Sequence, residues 1–140
     1  MQPTTITLVK ESFGWVTPIS EQAAAIFYAR LFEMNPDLKS LFKSDIKEQG
    51  RKLMATIAVV VNSLDRLGDV LPAVQALAAR HAGYGVRSQD YDAVGDALIW
   101  TLAAGLGERF TGEHKAAWVE VYTNLANIMR AAGETRSAAE

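Results

Sequence analysis

The chain has 140 residues, of which 49% are hydrophobic, enough for a single domain with its own core and too apolar for intrinsic disorder. A formal charge of −2 and a pI near 5.7 leave no basic surplus, so neither nucleic acid nor an anionic membrane is expected as a main partner. The absence of cysteine excludes disulfides, thiolate metal sites and cysteine nucleophiles.

The N-terminal stretch "MQPTTITLVKESFGW" has no basic run followed by an apolar core, so no signal peptide is read. The longest apolar run, "IAVVV" at 57–61, is too short to span a bilayer, and a soluble cytoplasmic protein is expected.

In chain order, apolar residues recur at three- and four-residue steps, and no alternating strand pattern interrupts them. A first helix is predicted over about 5–16, with Leu8, Val9, Phe13 and Val16 on related faces, before Pro18 interrupts. Ser20 is expected to cap a second helix carrying Ala23, Ile26, Phe27, Leu31 and Phe32. "NPDLKSLF" restarts with Asn35 as cap and Pro36 at the first helical position.

A long helix is predicted over about 45–67, with Leu53, Ile57, Val60 and Leu64 inward, stopped by Gly68. Asp69 then caps a helix whose stripe is Val70, Val74, Leu77 and His81, ended by Gly83 and Gly85. Ser88 opens the next, with Tyr91, Val94, Leu98 and Leu102. Thr111 opens the last, with Trp118, Val121, Tyr122, Leu125, Ile128 and Met129, and the polar tail over about 133–140 is expected to fray. The expectation is one all-α domain over 1–140 with six to seven helices.

Most catalytic templates are missing. There is no phosphate-cradling glycine loop with a lysine, no HExxH or paired-histidine zinc spacing and no nucleophile elbow. "GYG" at 83–85 lacks the third glycine and the preceding strand of a dinucleotide loop. His114 stands in a polar segment, and pairs such as Lys10 and Glu11 read as surface charge.

What remains is polar residues on apolar stripes: His81 after Leu77 and Val74, Tyr28 among Phe27, Leu31 and Phe32, and Gln49 one turn before Leu53. Each has an ordinary reading, as a satisfied core histidine, a packed tyrosine and an exposed glutamine. Periodicity alone does not choose between those readings and a binding site.

The segments "FYARLFEMNPDLKSLFK" (27–43), "QGRKLM" (49–54), "ARHAGYGV" (79–86), "YDAVGDAL" (91–98) and "AWVEVY" (117–122) together resemble the globins. Among these they are most similar to bacterial single-domain globins related to the haem domain of flavohaemoglobins. The likeness keeps order and spacing from about residue 6 to 130. It implies a globin fold, with helices crossing around a pocket for haem b.

The same resemblance implies that His81 is the proximal iron ligand and that Phe42 is wedged against the porphyrin. It makes Tyr28 and Gln49 the distal residues, donating hydrogen bonds to bound gas, and Leu53 the apolar residue over the iron. Tyr91 lies beside the proximal histidine in the resembling family, and Val86, Val94 and Leu98 line the pocket. Lys52 and Arg80 are candidates for the haem propionates, with solvated helix charge as the alternative.

The implied ligands are oxygen, nitric oxide or other diatomic gases. Flavohaemoglobins convert nitric oxide to nitrate and carry a reductase portion that this chain is not expected to contain, so a separate NAD(P)H-dependent reductase would be the partner. Their haem domain also places a glutamate beside the proximal histidine and tyrosine. Here Gly133 falls at that position and Glu134 follows it, rotated by roughly 100° on a helix.

Three functions follow. The first is reversible oxygen binding and transport, with Tyr28 and Gln49 slowing release. The second is nitric oxide dioxygenation, for which Tyr28, Gln49 and Tyr91 would be the catalytic candidates. The third is a haem-free interaction module, ranked last because such a module needs no combination of His81, Tyr28, Gln49 and Phe42.

Overall fold

The structure, a computed structural model, describes residues 2–41, 45–83 and 88–139, without the side chains of 40, 41, 80–83, 88 and 132–139. All regular elements among these are helical: α1 (Pro3–Val16), α2 (Ser20–Met34), α3 (Ile46–Asn62), α4 (Leu67–Gly83), α5 (Ser88–Leu106) and α6 (Gly112–Ala139), with short 3₁₀ turns between some of them. The all-α expectation is met.

Several boundaries differ from the expected ones, each for a local reason. Ser20 is the first residue of α2 rather than its cap, because the 3₁₀ turn Thr17–Ile19 leads directly into it. Asp45 caps α3, accepting from the Lys47 backbone N–H at 3.2 Å. The expected long helix breaks at Ser63 rather than Gly68. The Ser63 N–H turns back to the carbonyls of Val60 and Val61, a 3₁₀ turn over Leu64–Arg66 follows, and Gly68 and Asp69 lie inside α4.

Pro72 is accommodated within α4, near its start. Gly107, with φ of +60°, supplies the left-handed conformation that ends α5. The tail expected to fray continues α6 as helix through Ala139.

The start of α6 is closed by a reciprocal cap. The Thr111 hydroxyl lies 3.3 Å from the His114 backbone N–H, while His114 Nδ1 accepts from the Thr111 backbone N–H at 3.2 Å. This is a capping box with histidine in the place usually held by glutamate or glutamine. Because Nδ1 accepts, Nε2 carries the proton and donates to Glu11 on α1 at 3.0 Å. His114 is therefore buried, and Glu11 is half of an inter-helix contact rather than simple surface charge. Next to it, Trp118 Nε1 donates to Ser12 Oγ at 2.7 Å, fastening α6 to α1 from inside the core.

The core forms three clusters. Val9, Val16, Val61, Leu64, Leu102, Trp118 and Val121 join α1, α3, α5 and α6. Phe27, Tyr28, Leu31, Leu38 and Ala97 join α2 to α5. Val74, Ala78 and Met129 join α4 to α6.

At the crossing of α2 and α3, a Cβ on Gly50 would stand 2.9 Å from the Cβ of Ala24 and 3.8 Å from Tyr28 Cε2. Only a residue without a side chain lets the two backbones approach so closely. Among the described residues, α4 packs broadly on α6 and scarcely on α2 or α3. Little direct contact therefore joins α3 to α4 among the described residues, and the space between them is called the slot.

Candidate functional site

The slot is built from both sides. On the α2–α3 side, Tyr28 is buried, edge-on to Phe27 at 5.1 Å between ring centroids and stacked with Phe32 at 5.9 Å. Burial pushes its phenol up to about 12, so at neutral pH Tyr28 is a proton-bearing donor. Gln49, in the first turn of α3, is half-buried rather than exposed, and its neighbour Gly50 lies against the Tyr28 ring. Leu53, one turn on, packs with Phe32, Ile46, Val94 and Leu98 against the Phe27–Tyr28–Leu31 cluster.

These apolar side chains are only partly buried, although α3 is strongly two-faced and of its residues just Gly50 and Val61 are buried. Apolar surface left half-covered in this way is open to an apolar group lying against it. Behind Leu53, a small void of about 20 Å³ is lined by residues including Phe27, Leu53, Ile57, Leu98 and Trp118. Its one hydroxyl, on Thr101, is turned to the Ala97 carbonyl at 2.7 Å, so the lining is apolar. A void of that size has room for about one water-sized or diatomic molecule.

The opposite side is α4, which carries His81 in its last turn. The His81 side chain, the Arg80 side chain, Phe42 and Val86 lie outside the described residues. Tyr91, in the first turn of α5, packs against Val74, Ala78 and Met129, and Ala78 stands three residues before His81. Lys52 is exposed and paired with Glu48 at 3.9 Å, which is the solvated-charge arrangement. The backbone of α6 is helical through Gly133 and Glu134.

Four contacts at the α4–α5–α6 junction were not read from the sequence. The Tyr122 hydroxyl donates to the Tyr91 carbonyl at 2.6 Å, and the Tyr122 ring fills the space above Gly95. Arg130 donates to Asp92 at 2.7 Å and lies over the Tyr91 ring, 5.6 Å from its centroid. Spacing offered a signal for Arg130, which follows Tyr122 by two helical turns and so sits on the face that also buries Ala126. Among the described residues no cluster of three or more histidine, aspartate or glutamate side chains could hold a metal ion, and no helix is long and apolar enough to cross a membrane.

The chain as a whole is similar to known proteins. The flavohemoprotein of Bordetella parapertussis is 30% identical over 132 residues, covering 92% of this chain and 33% of that protein. The flavohemoprotein of Rhodopirellula baltica is 31% identical over 127 residues, covering 89% and 31%. The chain thus spans about a third of the length of these relatives.

Among solved structures, an engineered carbene transferase from Rhodothermus marinus, described as a candidate nitric oxide dioxygenase, superposes with a TM-score of 0.90 at 26% identity, covering 99% of this chain and 97% of that one. A bacterial globin from Campylobacter jejuni superposes with a TM-score of 0.87 at 21% identity, covering 98% and 99%, a likeness of fold. The family model for globins matches residues 25–129, which take in both walls of the slot. With that match, relatives at this identity and an all-helical fold, the chain belongs to the globin family.

Proposed function

We propose that this globin holds haem b in the slot between α3 and α4 and binds oxygen and other diatomic gases there reversibly. The observation that carries the reading is the α2–α3 crossing at Gly50. There Gly50, next to Gln49, lies against the ring of the buried, proton-bearing Tyr28, and Leu53 packs on the same cluster, while α4 bears His81. Haem, when bound, supplies an iron with one coordination position open to a gas.

Each residue then has a distinct task. His81 would hold the iron through one imidazole nitrogen, its other nitrogen being free to donate to a protein acceptor that fixes the tautomer. Phe42, Val86, Val94 and Leu98 would line the space that the group occupies. Tyr28 and Gln49 would donate hydrogen bonds to the gas, and Leu53 would keep water away from it. In a dry pocket each such bond would contribute on the order of 1–3 kcal/mol, which would slow the release of oxygen.

Absorption spectra of the purified protein, oxidised, reduced and with carbon monoxide, test the proposal. A Soret band that shifts at each step supports it. A protein with no Soret band after haem reconstitution, or a His81→Gly variant that keeps haem and coordination without added imidazole, overturns it.

A second reading draws on the Rhodothermus and flavohemoprotein likenesses. The same residues would serve a nitric oxide dioxygenase in which nitric oxide, oxygen and one electron give nitrate, the electron coming from a NAD(P)H-dependent reductase. Rapid mixing of the oxygenated protein with nitric oxide, followed by sustained turnover with such a reductase, distinguishes it from gas binding alone.

A further inference from the structure

Two neighbouring stripes on α2 face different surroundings. Ala23 and Phe27, four residues apart, both line the void behind Leu53. Ala24 and Tyr28, one position on and rotated by roughly 100°, both face Gly50 of α3. Among the described residues the void is lined by Phe27 but not by Tyr28.

The two rings nonetheless meet. Side chains at successive helix positions ordinarily diverge. Here the Phe27 and Tyr28 centroids stand 5.1 Å apart with their planes at 76°, the edge-on arrangement that aromatic pairs favour. Phe27 therefore touches the void and the Tyr28 ring at once. Phe32 stacks with the same ring at 5.9 Å but does not line the void.

A void of about 20 Å³ holds about one water-sized molecule and has no room for a phenol. The buried Phe27 ring, however, fills the volume of a phenyl group beside it. Its removal would join that volume to the void and open a cavity into which the Tyr28 ring can turn. The Thr101 hydroxyl on the far wall is already bonded to the Ala97 carbonyl at 2.7 Å, so that cavity would be apolar.

We infer that Phe27 is a positioning residue, whose ring holds the Tyr28 phenol against Gly50 and out of the space behind it, and so keeps its hydroxyl available to a gas bound in the slot. The inference rests on the haem reading above, in which that hydroxyl donates to the gas.

The test compares the haem-loaded parent with Phe27→Ala, Tyr28→Phe and the double variant. Stopped flow gives the oxygen release rate, and infrared spectra of the carbon monoxide complex give the C–O stretch. The stretch responds to hydrogen-bond donation to the bound gas and not to the stability of the fold. Phe27→Ala should release oxygen faster by about fivefold, the factor that corresponds to one ordinary hydrogen bond. Its C–O stretch should move toward that of Tyr28→Phe. In the Tyr28→Phe background the same substitution should change neither quantity.

A release rate or a stretch in Phe27→Ala equal to the parent's overturns the inference. So does an equal acceleration in the Tyr28→Phe background, which would mark a wider pocket rather than a displaced phenol. Should Phe27→Ala fail to fold, Phe27→Leu, which stays apolar but has no flat edge, carries the same expectation and the same refutation. Failure at Phe27 while Tyr28→Phe still speeds release refutes this inference alone. A parent chain that takes up no haem refutes the haem reading, and this inference falls with it.

Discussion

The ring of Tyr122 occupies the volume that a side chain at Gly95 would need: a Cβ there would lie 2.6 Å from Tyr122 Cε2 and 2.9 Å from Cδ2. The ring has little freedom to retreat, because its hydroxyl is tied to the Tyr91 carbonyl at 2.6 Å. Gly95→Ala should gain about 1 kcal/mol in helix propensity and lose about 1–3 kcal/mol to overpacking. A net loss of stability in urea unfolding is expected. Combining Gly95→Ala with Tyr122→Leu should remove the overpacking part, and the double variant should be no less stable than Tyr122→Leu alone.

The α2–α3 crossing makes a similar prediction at the distal wall. The 2.9 Å approach of a Gly50 Cβ to that of Ala24 means that Gly50→Ala forces the two helices apart, carrying Tyr28 and Gln49 with them. Gly50→Ala should be destabilised by about 1–3 kcal/mol and should release oxygen faster. Ala24→Gly in the same chain, by vacating the contested space, should restore much of both. Independent, additive effects in that double variant would show that the crossing does not set the pocket.

Replacing Tyr28 by phenylalanine removes the phenol hydrogen and leaves the ring. Stopped-flow measurement should show faster oxygen release in Tyr28→Phe, by about five- to 150-fold for the ~1–3 kcal/mol of a buried hydrogen bond. A rate equal to the parent's would remove Tyr28 from the distal role.

The same residue gives a pH dependence that needs no haem. Its phenol ionises near its ordinary value of 10.0 in the unfolded chain and near 12 in the folded one. Between those values the folded state holds a proton that the unfolded state has lost. The contribution is therefore whole below about pH 10 and disappears as the pH rises toward about 12. Urea unfolding of Tyr28→Phe should lose less stability than the parent across that window, and parallel losses would contradict the shift.

Inside the α1–α6 contact, Ser12→Ala takes away the acceptor of the Trp118 indole N–H at 2.7 Å and leaves it buried without its partner. A loss of about 1–3 kcal/mol is expected in chemical denaturation, with the oxygen release rate unchanged. A change in that rate would mean that this contact and the slot are coupled.

Helical periodicity marked the stripes of α1, α4 and α6 from the sequence, because a face buried against a neighbour must repeat at three and four residues whatever that neighbour is. Pro36 and Thr111 were legible as helix starts for equally local reasons: a fixed φ and a capping hydroxyl. The order and spacing of the polar residues on those stripes carried the likeness to globins. Local signals failed where two segments compete for the same place. The break at Ser63 instead of Gly68 reflects how α3 turns into α4, and no single residue announces it.

Tertiary structure alone decided the contacts between residues far apart in the chain. Gly50 could be recognised as a crossing point only once Ala24 was seen opposite it, and Gly95 only once Tyr122 filled its space. His114 was read only as standing in a polar segment until α1 brought Glu11 to its Nε2, and nothing in the sequence set Arg130 over the Tyr91 ring. A sequence records which face of a helix is apolar, since that is a property of one segment. Which polar group meets which depends on the crossing of two helices, set by the packing of all of them together.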